Sequence, residues 1–475
     1  GRHPDFAELR NFLHGVAELV KCPGDLYTYR LTPLSLWHAA AAGWTAEGLL
    51  GKLRAWTGSG VPPALAEEVR RHIAVYGRFR LVTREGRLLL ECAAPSDMFR
   101  VREAEEAARW LEGEVDERTA AVRPEGRGLF KQAMAAAGLP VIDEAGYRDG
   151  GPLPVAFRDL DDTGRSPRLR DYQQEAVDAF VAGGSGVVVL PCGAGKTWVG
   201  MGALVRLQCE TLILTPNGTS VRQWIRELTS RTTLSANEVG AYTGERKEVR
   251  PVTVATYQVL TRRRSKTGPF LHKGLFMDRE WGLIIYDEVH LLPAPVFRMT
   301  AELQAARRLG LTATLVREDG RETDVFALIG PKRYELPWRA VERAGFIARV
   351  RCTEVRVPMD EAAAARYAVA LRGERPRLAG ENPRKAEAVR RLLERHAGEP
   401  TLIIGHYLEQ LKELAQIFSL PLVTGKTPHE ERQRLYDRFN RGEIRALAVS
   451  KVANFAVDLP DASVAIQVSG SFGSR

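Results

Sequence analysis

The sequence predicts an α/β protein built from two tandem parallel-sheet lobes, preceded by an N-terminal α+β accessory region and carrying a small helical insertion in the second lobe. Three observations carry this expectation. From Arg168 onward short apolar runs alternate with amphipathic helical stretches, the pattern of a parallel sheet covered on both faces. A glycine-rich turn, LPCGAGKT at Leu190–Thr197, follows the β-branched run Gly186–Leu190 and opens a helical stretch at Lys196. A second alternating run begins after Pro400 and has no such turn.

Composition sets the frame. At 475 residues there is room for about three cores. Hydrophobic residues at 44% and charged residues at 27% are the proportions of ordinary globular protein. The net charge of +9 and pI near 9.4 favour a polyanionic partner, nucleic acid first and an anionic membrane second. No apolar run approaches the ~20 residues of a membrane span, and no signal-peptide pattern opens the chain, so no membrane partner is expected. Cys22, Cys92, Cys192, Cys209 and Cys352 are odd in number and contain no C-x-x-C. They fit a reducing cytoplasm and argue against a disulfide framework or a zinc site. The abundant alanine and arginine fit a GC-rich prokaryotic gene, and Gly1 in place of Met fits a processed or trimmed N-terminus.

Residues 1–150 read as the accessory region. The first seventy are expected to be helical, with Thr32-Pro33 as a cap followed by proline in the first turn. FRLVT, the turn Arg84-Glu85-Gly86 and RLLLEC make a hairpin, and further helices are expected at 103–112 and 126–138. A helix followed by a hairpin fits a small module that binds nucleic acid, docks proteins or serves as a rigid spacer. Residues 151–167, rich in Gly, Pro and Asp, are expected as a linker. The first lobe then spans 168–338, with strands at 186–190, 211–215, 252–257, 281–286 and 308–313. The second spans 339–475, with strands at TLIIGH, Leu422-Val423, IRALAVS and VAIQVSG and a helical insertion at 359–380.

The chemistry is concentrated in the first lobe. Glycines at 193 and 195 let backbone N–H groups close on phosphate oxygens, and the following helix adds positive potential at the same spot. Lys196 would reach the β- and γ-phosphates, and the Thr197 hydroxyl would hold Mg²⁺. Leu190 replaces the first glycine of the eight-residue P-loop pattern, but Gly193–Thr197 is intact. Leu283–Tyr286 reads as a buried strand leading into the DEVH box. Asp287 at its carboxyl end sits where a metal-holding carboxylate belongs, and Glu288 is placed to orient or deprotonate a water. Either motif alone could be a structural turn or a strand ending in solvated acids. Together, in this order, they mark an NTP-hydrolysing chain.

Around these motifs stand LRDYQQ at 169–174, TPN at 215–217, QWIREL at 223–228, ATYQ at 255–258 and LTAT at 311–314. The ordered set resembles the superfamily 2 helicases. Within them LPCGAGKT, the DEVH spelling, RLGLTATLVRED at 308–319 and SKVANFAVDLP at 450–460 resemble the XPB family, as does the N-terminal TYRLTPLSLW at 28–37. The resemblance covers nearly the whole chain. It implies two RecA-like lobes, a thumb-like insertion at 359–380, a damage-recognition part within 1–150, and an ATP- and Mg²⁺-dependent DNA helicase or translocase of 3′-to-5′ polarity acting in DNA repair.

Site residues follow from the same resemblance. Gln173, with Arg170 and Tyr172, would read the adenine. Gly193, Ala194, Gly195, Lys196 and Thr197 would hold phosphates and Mg²⁺, with Asp287 completing the metal site, Glu288 as catalytic base and Asp458 approaching from the second lobe. His290 and Thr312, Ala313 and Thr314 would couple nucleotide state to DNA grip. Thr215, Pro216, Thr256 and Tyr257 would face the phosphate backbone. Arg317, Glu318 and Asp319 would assist strand opening. ATP would close the two lobes on each other and hydrolysis reopen them, stepping along one strand through sequence-independent, salt-dependent phosphate contacts. The basic tract Thr261–Lys266 could neutralise several more phosphates, or be a solvated loop.

One departure stands out. The family's second lobe ends in a Q-R-x-G-R-x-x-R segment, whereas this sequence ends at Ser469–Arg475, the lead-in to it. A chain lacking that segment would bind ATP and hydrolyse it poorly, since an arginine finger is worth about 10³–10⁵ in turnover. An intact mass well above 52.7 kDa would show that residues follow. Two other readings share the motifs: an RNA helicase or restriction-type translocase, and an ATP-gated DNA clamp or scaffold that recruits a nuclease. The first predicts stimulation by RNA or needs nuclease motifs, which are absent from this sequence; the second predicts binding without strand displacement.

Overall fold

The computed structural model describes the chain apart from residues 1–4, 22–25, 58–59, 163, 266–269, 277–278, 293–305, 315–321, 347, 349–350, 372, 451–458, 460–461 and 471–475. It divides into two compact units, Gly1–Arg349 and Val350–Arg475.

The first unit holds the accessory region and the first lobe together. Helices Phe6–Val16, Pro33–Ala41, Ala46–Thr57 and Pro63–Val75 dominate the start, as the cap-and-proline pattern predicts. At Pro33 the Thr32 side chain accepts from Ser35 N–H at 3.1 Å and Ser35 Oγ accepts from Thr32 N–H at 3.0 Å, a reciprocal cap. The helical expectation misses a short antiparallel pair, Glu18–Lys21 with Thr28–Arg30. The predicted hairpin forms as Phe79–Arg84 and Arg87–Cys92, and joins a five-stranded sheet.

The helix expected over 103–112 is corrected by that sheet. Only Glu105–Ala108 is helical, and Leu111–Asp116 is a strand paired antiparallel with Thr119–Val122. Trp110 turns the chain. A Cβ placed on Gly126 would lie 2.0 Å from the Trp110 ring, so indole and backbone are in direct contact there. Cross-strand pairing outweighs the weak helical preference of a glutamate-rich stretch. Helix Arg127–Ala136 lies within the predicted 126–138.

Residues 151–167, expected as a linker, are laid along the first lobe. Leu153 and Val155 are buried, Leu153 N–H donates to Gln208 O at 2.9 Å, and Arg158 N–H donates to Arg231 O at 2.9 Å. Apolar side chains at alternate positions give the segment something to bury despite its Gly/Pro content.

Among the described residues the first lobe is a seven-stranded sheet with every pairing parallel. Its order is Val239–Tyr242, Val252–Thr256, Thr211–Thr215, Leu283–Asp287, Arg307–Thr312, Gly186–Val189, Lys332–Glu335. Parallel strands buried on both faces explain the nearly unbroken apolar runs. All carboxyl ends fall on one edge, so the segments after Val189, Thr215, Tyr242, Thr256, Asp287 and Thr312 share it. Helix Glu322–Leu328 packs Phe326 and Ala327 into the accessory core, with Trp37 at 5.7 Å and His38 at 5.3 Å from the Phe326 ring.

The second unit is smaller. Its described residues form a four-stranded parallel sheet ordered Leu422–Val423, Ala446–Val449, Thr401–Ile404, Val464–Gln467. Residues 359–380 contain helices Glu361–Val369 and Arg375–Gly380, the first capped by Asp360 accepting from Ala363 N–H at 2.7 Å. Among the described residues no helix is long and apolar enough to cross a membrane.

Candidate nucleotide-hydrolysing site

The turn after Gly186–Val189 takes two glycines into the left-handed region, Gly193 at φ 79° and Gly195 at φ 80°. Gly195 also has no room for a side chain, because a Cβ there would lie 2.5 Å from Gln173 Nε2. The turn delivers Lys196 and Thr197 at the first positions of helix Lys196–Leu207, where N–H groups lack intrahelical partners.

LRDYQQ braces this turn from outside. Gln173 is buried; its Oε1 accepts from Arg170 N–H at 2.9 Å while its Nε2 donates to Ala194 O at 3.0 Å. Tyr172 Oη donates to the same carbonyl at 2.8 Å and accepts from Arg170 at 3.1 Å. One P-loop carbonyl therefore carries two donors from one helix, which fixes the loop relative to Arg170. The exposed Arg170 guanidinium lies 4.3 Å from the centroid of Phe346, a half-exposed ring that also sits 5.6 Å from Tyr172. Sequence reasoning missed Phe346, which is 176 positions from Arg170 and lies in no motif.

Two strands over, Asp287 ends Leu283–Asp287. Its Oδ2 accepts from Trp224 Nε1 at 3.0 Å, and its backbone carbonyl accepts from Tyr257 Oη at 2.7 Å. Burial, then the neighbouring Glu288 charge, push the Asp287 carboxyl up to about 6, while the Trp224 bond and Lys196 pull it down. Trp224 lies within QWIREL, but its partnership with Asp287 could not be read from spacing. Glu288 adopts φ 50°, ψ 55°, a backbone conformation costly for a side chain of its size. That turn aims its carboxylate back at the P-loop: Glu288 Oε1 lies 3.2 Å from Lys196 Nζ.

Glu288 Oε2 faces His290 Nδ1 at 3.4 Å, and Nδ1 lies 2.9 Å from Thr312 Oγ1. Thr312 Oγ1 donates to Thr314 O at 2.6 Å and accepts from Thr314 N–H at 3.1 Å. A hydroxyl has one proton, already given to Thr314, so this network requires a proton on His290 Nδ1. Lys196, Glu288, His290, Thr312 and Thr314 thus form one connected line, with Ala313 half-buried inside the turn. Arg317, Glu318, Asp319 and Asp458 lie outside the described residues.

The residues expected on DNA are placed differently from a surface row. Thr215, Thr256 and Tyr257 are buried. Thr215 Oγ1 is 3.3 Å from both Asn217 O and Ala255 O, Thr256 Oγ1 accepts from Val259 N–H, and Tyr257 is spent on Asp287. Pro216 is half-buried, and its carbonyl accepts from Gln258 Nε2 at 2.8 Å. These hydroxyls shape the loops; what the loops can offer a phosphate is main-chain N–H.

The donor set fits Mg²⁺. A hydroxyl and a buried carboxylate are hard oxygen ligands, and this ion takes one or two carboxylates plus phosphate and water. No cluster of three His, Cys, Asp or Glu side chains suited to a metal occurs among the described residues.

Residues 341–475 match the family described as ERCC3/RAD25/XPB C-terminal helicase. Residues 166–317 match the type III restriction enzyme res subunit, and residues 2–115 a helicase conserved C-terminal domain. The DNA 3'-5' helicase XPB of Kineococcus radiotolerans is 51% identical over 474 residues, covering 100% of this chain and 84% of that protein. The protein of the same name from Mycobacterium tuberculosis is 50% identical over 460 residues, covering 97% and 82%. The general transcription and DNA repair factor IIH helicase/translocase subunit XPB of Antonospora locustae is 35% identical over 488 residues, covering 98% and 70%.

Proposed function

The chain belongs to the XPB family of superfamily 2 helicases, and from that premise we propose how its residues drive an ATP-dependent DNA 3′-to-5′ helicase and translocase. The single observation that carries the mechanism is the line Lys196–Glu288–His290–Thr312, which ties the P-loop to the turn that follows the next strand. Lys196 and Glu288 neutralise each other. Arrival of the ATP phosphates gives Lys196 a stronger partner and frees Glu288 to take a proton from the attacking water. Thr197 and Asp287 would hold Mg²⁺, whose contribution when bound is neutralisation of phosphate charge. Trp224 keeps Asp287 oriented, and Tyr257 keeps the turn after it in place.

Release of Glu288 from Lys196 changes what His290 Nδ1 faces, and His290 is bonded to the Thr312–Thr314 turn. Coupling therefore runs as a change of hydrogen-bond partner along one sheet edge. Arg170 and Phe346 flank the position for adenine, and the fixed Arg170–Gln173–Ala194 bonds set its distance from the phosphates. DNA repair is the proposed setting, in the cytoplasm at the nucleoid, with a nuclease as the proposed class of partner.

Steady-state ATP hydrolysis by mass-verified full-length protein tests this, with forked duplex, single-stranded DNA, RNA or no nucleic acid. Large stimulation by DNA, little by RNA and loss in Glu288→Gln are expected. Equal or better stimulation by RNA would overturn the DNA motor. A rate indifferent to all nucleic acid would favour the clamp.

A further inference from the structure

The basic tract at 262–266 has no role in the mechanism above. Its described part lies beside a second basic loop from a different stretch of chain. Tyr242, the last residue of the edge strand Val239–Tyr242, forms an antiparallel bridge with Lys247, and Lys247 Nζ donates to Thr243 O. Arg263 and Phe270 form a second such bridge, reinforced by Leu271 N–H donating to Arg262 O at 3.0 Å. Each loop lays a cation on an aromatic face: Lys247 Nζ is 4.8 Å from the Tyr242 centroid, and Arg263 Cζ is 3.8 Å from that of Phe270. The loops are joined by Tyr242 Oη and His272 Nδ1 at 2.9 Å.

The outer surface of this pair is electropositive. Lys247 and Arg262 are exposed, as are Arg246 and Arg264 beside them in sequence, and among the described residues none of the four makes an ion pair with a carboxylate. Burial and then the Arg262 charge lower the Lys247 pKa. Burial, then Lys247 and Arg262, lower that of His272. Like charges are thus held within reach of one another. Among the described residues neither Glu245 nor Glu248 on the first loop makes an ion pair. Such an arrangement is costly in isolation and relieved by an anion.

Its position says which anion. The sheet order places Val239–Tyr242 next to Val252–Thr256, which is next to Thr211–Thr215. Neighbouring strands are about 4.8 Å apart, so the basic loops stand one strand beyond the Thr215 and Thr256 turns on the same carboxyl edge. The short helix Tyr257–Leu260 connects Thr256 directly to Arg262. Tyr242 is buried and Phe270 already carries Arg263 on one face, so exposed charge is the chief feature these loops present.

We propose that Lys247 and Arg262, carried on two loops joined by the Tyr242–His272 bond, form a nucleic-acid backbone site one sheet strand outward from the Thr215 and Thr256 turns. It rests on the DNA-motor reading only for the identity of the polyanion. The contact is sequence-independent and contributes to grip, not to hydrolysis.

The test is the double variant Lys247→Ala/Arg262→Ala in the full chain, with fluorescein-labelled single-stranded and duplex oligonucleotides titrated at several salt concentrations. About tenfold weaker binding near 0.1 M salt is expected, with the slope of log affinity against log salt shallower by about 1–2, since each phosphate contact contributes about 0.7–0.9. ATP hydrolysis without DNA should be unchanged, and the DNA concentration for half-maximal stimulation should rise. Lys247→Glu/Arg262→Glu should lose more. Unchanged affinity and slope overturn the site, as does weaker binding with an unchanged slope. If a double variant fails to show the wild-type thermal transition, the single Arg262→Gln at an exposed position reads the same slope. Wild-type protein that neither binds nor responds to DNA sinks the motor reading; wild-type protein that does, beside an unaltered variant, sinks the site alone.

Discussion

The two parallel sheets of this chain use the same architecture for different ends, and their glycines show how. In the first lobe Gly195 follows a strand, sits at φ 80° and leaves no space for a Cβ beside Gln173. Its backbone turns the chain from the strand into the helix that carries Lys196. In the second unit Gly405 follows the strand Thr401–Ile404, and a Cβ there would lie 2.8 Å from the Leu411 side chain. That glycine lets a helix come close. The first edge then collects Lys196, Asp287, Glu288 and His290. Among the described residues the second collects hydroxyl and amide groups: His406 N–H donates to Ser469 Oγ at 2.9 Å, and Ser469 Oγ donates to Gln410 Oε1 at 2.7 Å. Strand order makes an edge; the residues just past each strand decide whether it does chemistry.

The sharpest way to break this contrast is Glu288→Gln. Turnover should fall by about 10²–10⁴, the usual contribution of a positioned base, with nucleotide binding retained. Steady-state ATPase and a fluorescent-nucleotide titration measure the two separately; full activity in this variant would remove Glu288 from the chemistry.

The glycines provide the next test. Gly195→Ala must place a side chain at positive φ against Gln173, at about 1–3 kcal/mol, and should weaken ATP binding by roughly 5- to 150-fold. Gly405→Ala should overpack its helix by about 1–3 kcal/mol, lowering the thermal transition of the second unit while leaving nucleotide affinity alone. Equal effects of both on ATP binding would erase the contrast.

Phe346→Ala should raise KM for ATP by roughly tenfold with little change in kcat, taking base stacking at about 1–3 kcal/mol. An unchanged KM would leave Phe346 as packing for Arg170.

A smaller effect concerns how the accessory region is fastened to the first lobe. His38 is buried, and its Nδ1 accepts from the Lys332 backbone N–H at 3.0 Å, which requires the neutral ring. Burial, then the Lys332 charge, lower its pKa from 6.5 to about 3. Between those values the unfolded chain takes up a proton that the folded one refuses. The His38 contribution is therefore complete above pH 6.5 and is lost as pH falls through that window, by about 2 kcal/mol at pH 5. Thermal melts at pH 7 and pH 5 should show this drop, and His38→Asn should shrink it; an equal drop in the variant would assign the acid sensitivity elsewhere.

Much of the site was legible because it is local. P-loop, DEVH and LTAT each place their chemistry within a few residues of a strand end, and period and turn residues mark strand ends well. Less legible were contacts that cross the sequence. Trp224 on Asp287, Phe346 on Arg170 and the burial of Thr215 and Tyr257 depend on which strands are neighbours. The same limit explains Leu111–Asp116, whose strand exists because Thr119–Val122 pairs with it.

By itself, then, the sequence determined the two α/β lobes, the glycine-rich turn after one strand and the paired acids after another, and the basic character of the chain, because hydrophobic period and glycine placement are written residue by residue. Only the tertiary structure decided that the supposed linker packs on the first lobe, that helix Glu322–Leu328 enters the accessory core, and that the loops of Lys247 and Arg262 are joined through Tyr242 and His272. Each of these depends on strand order, and strand order is set by how several distant apolar faces are buried at once.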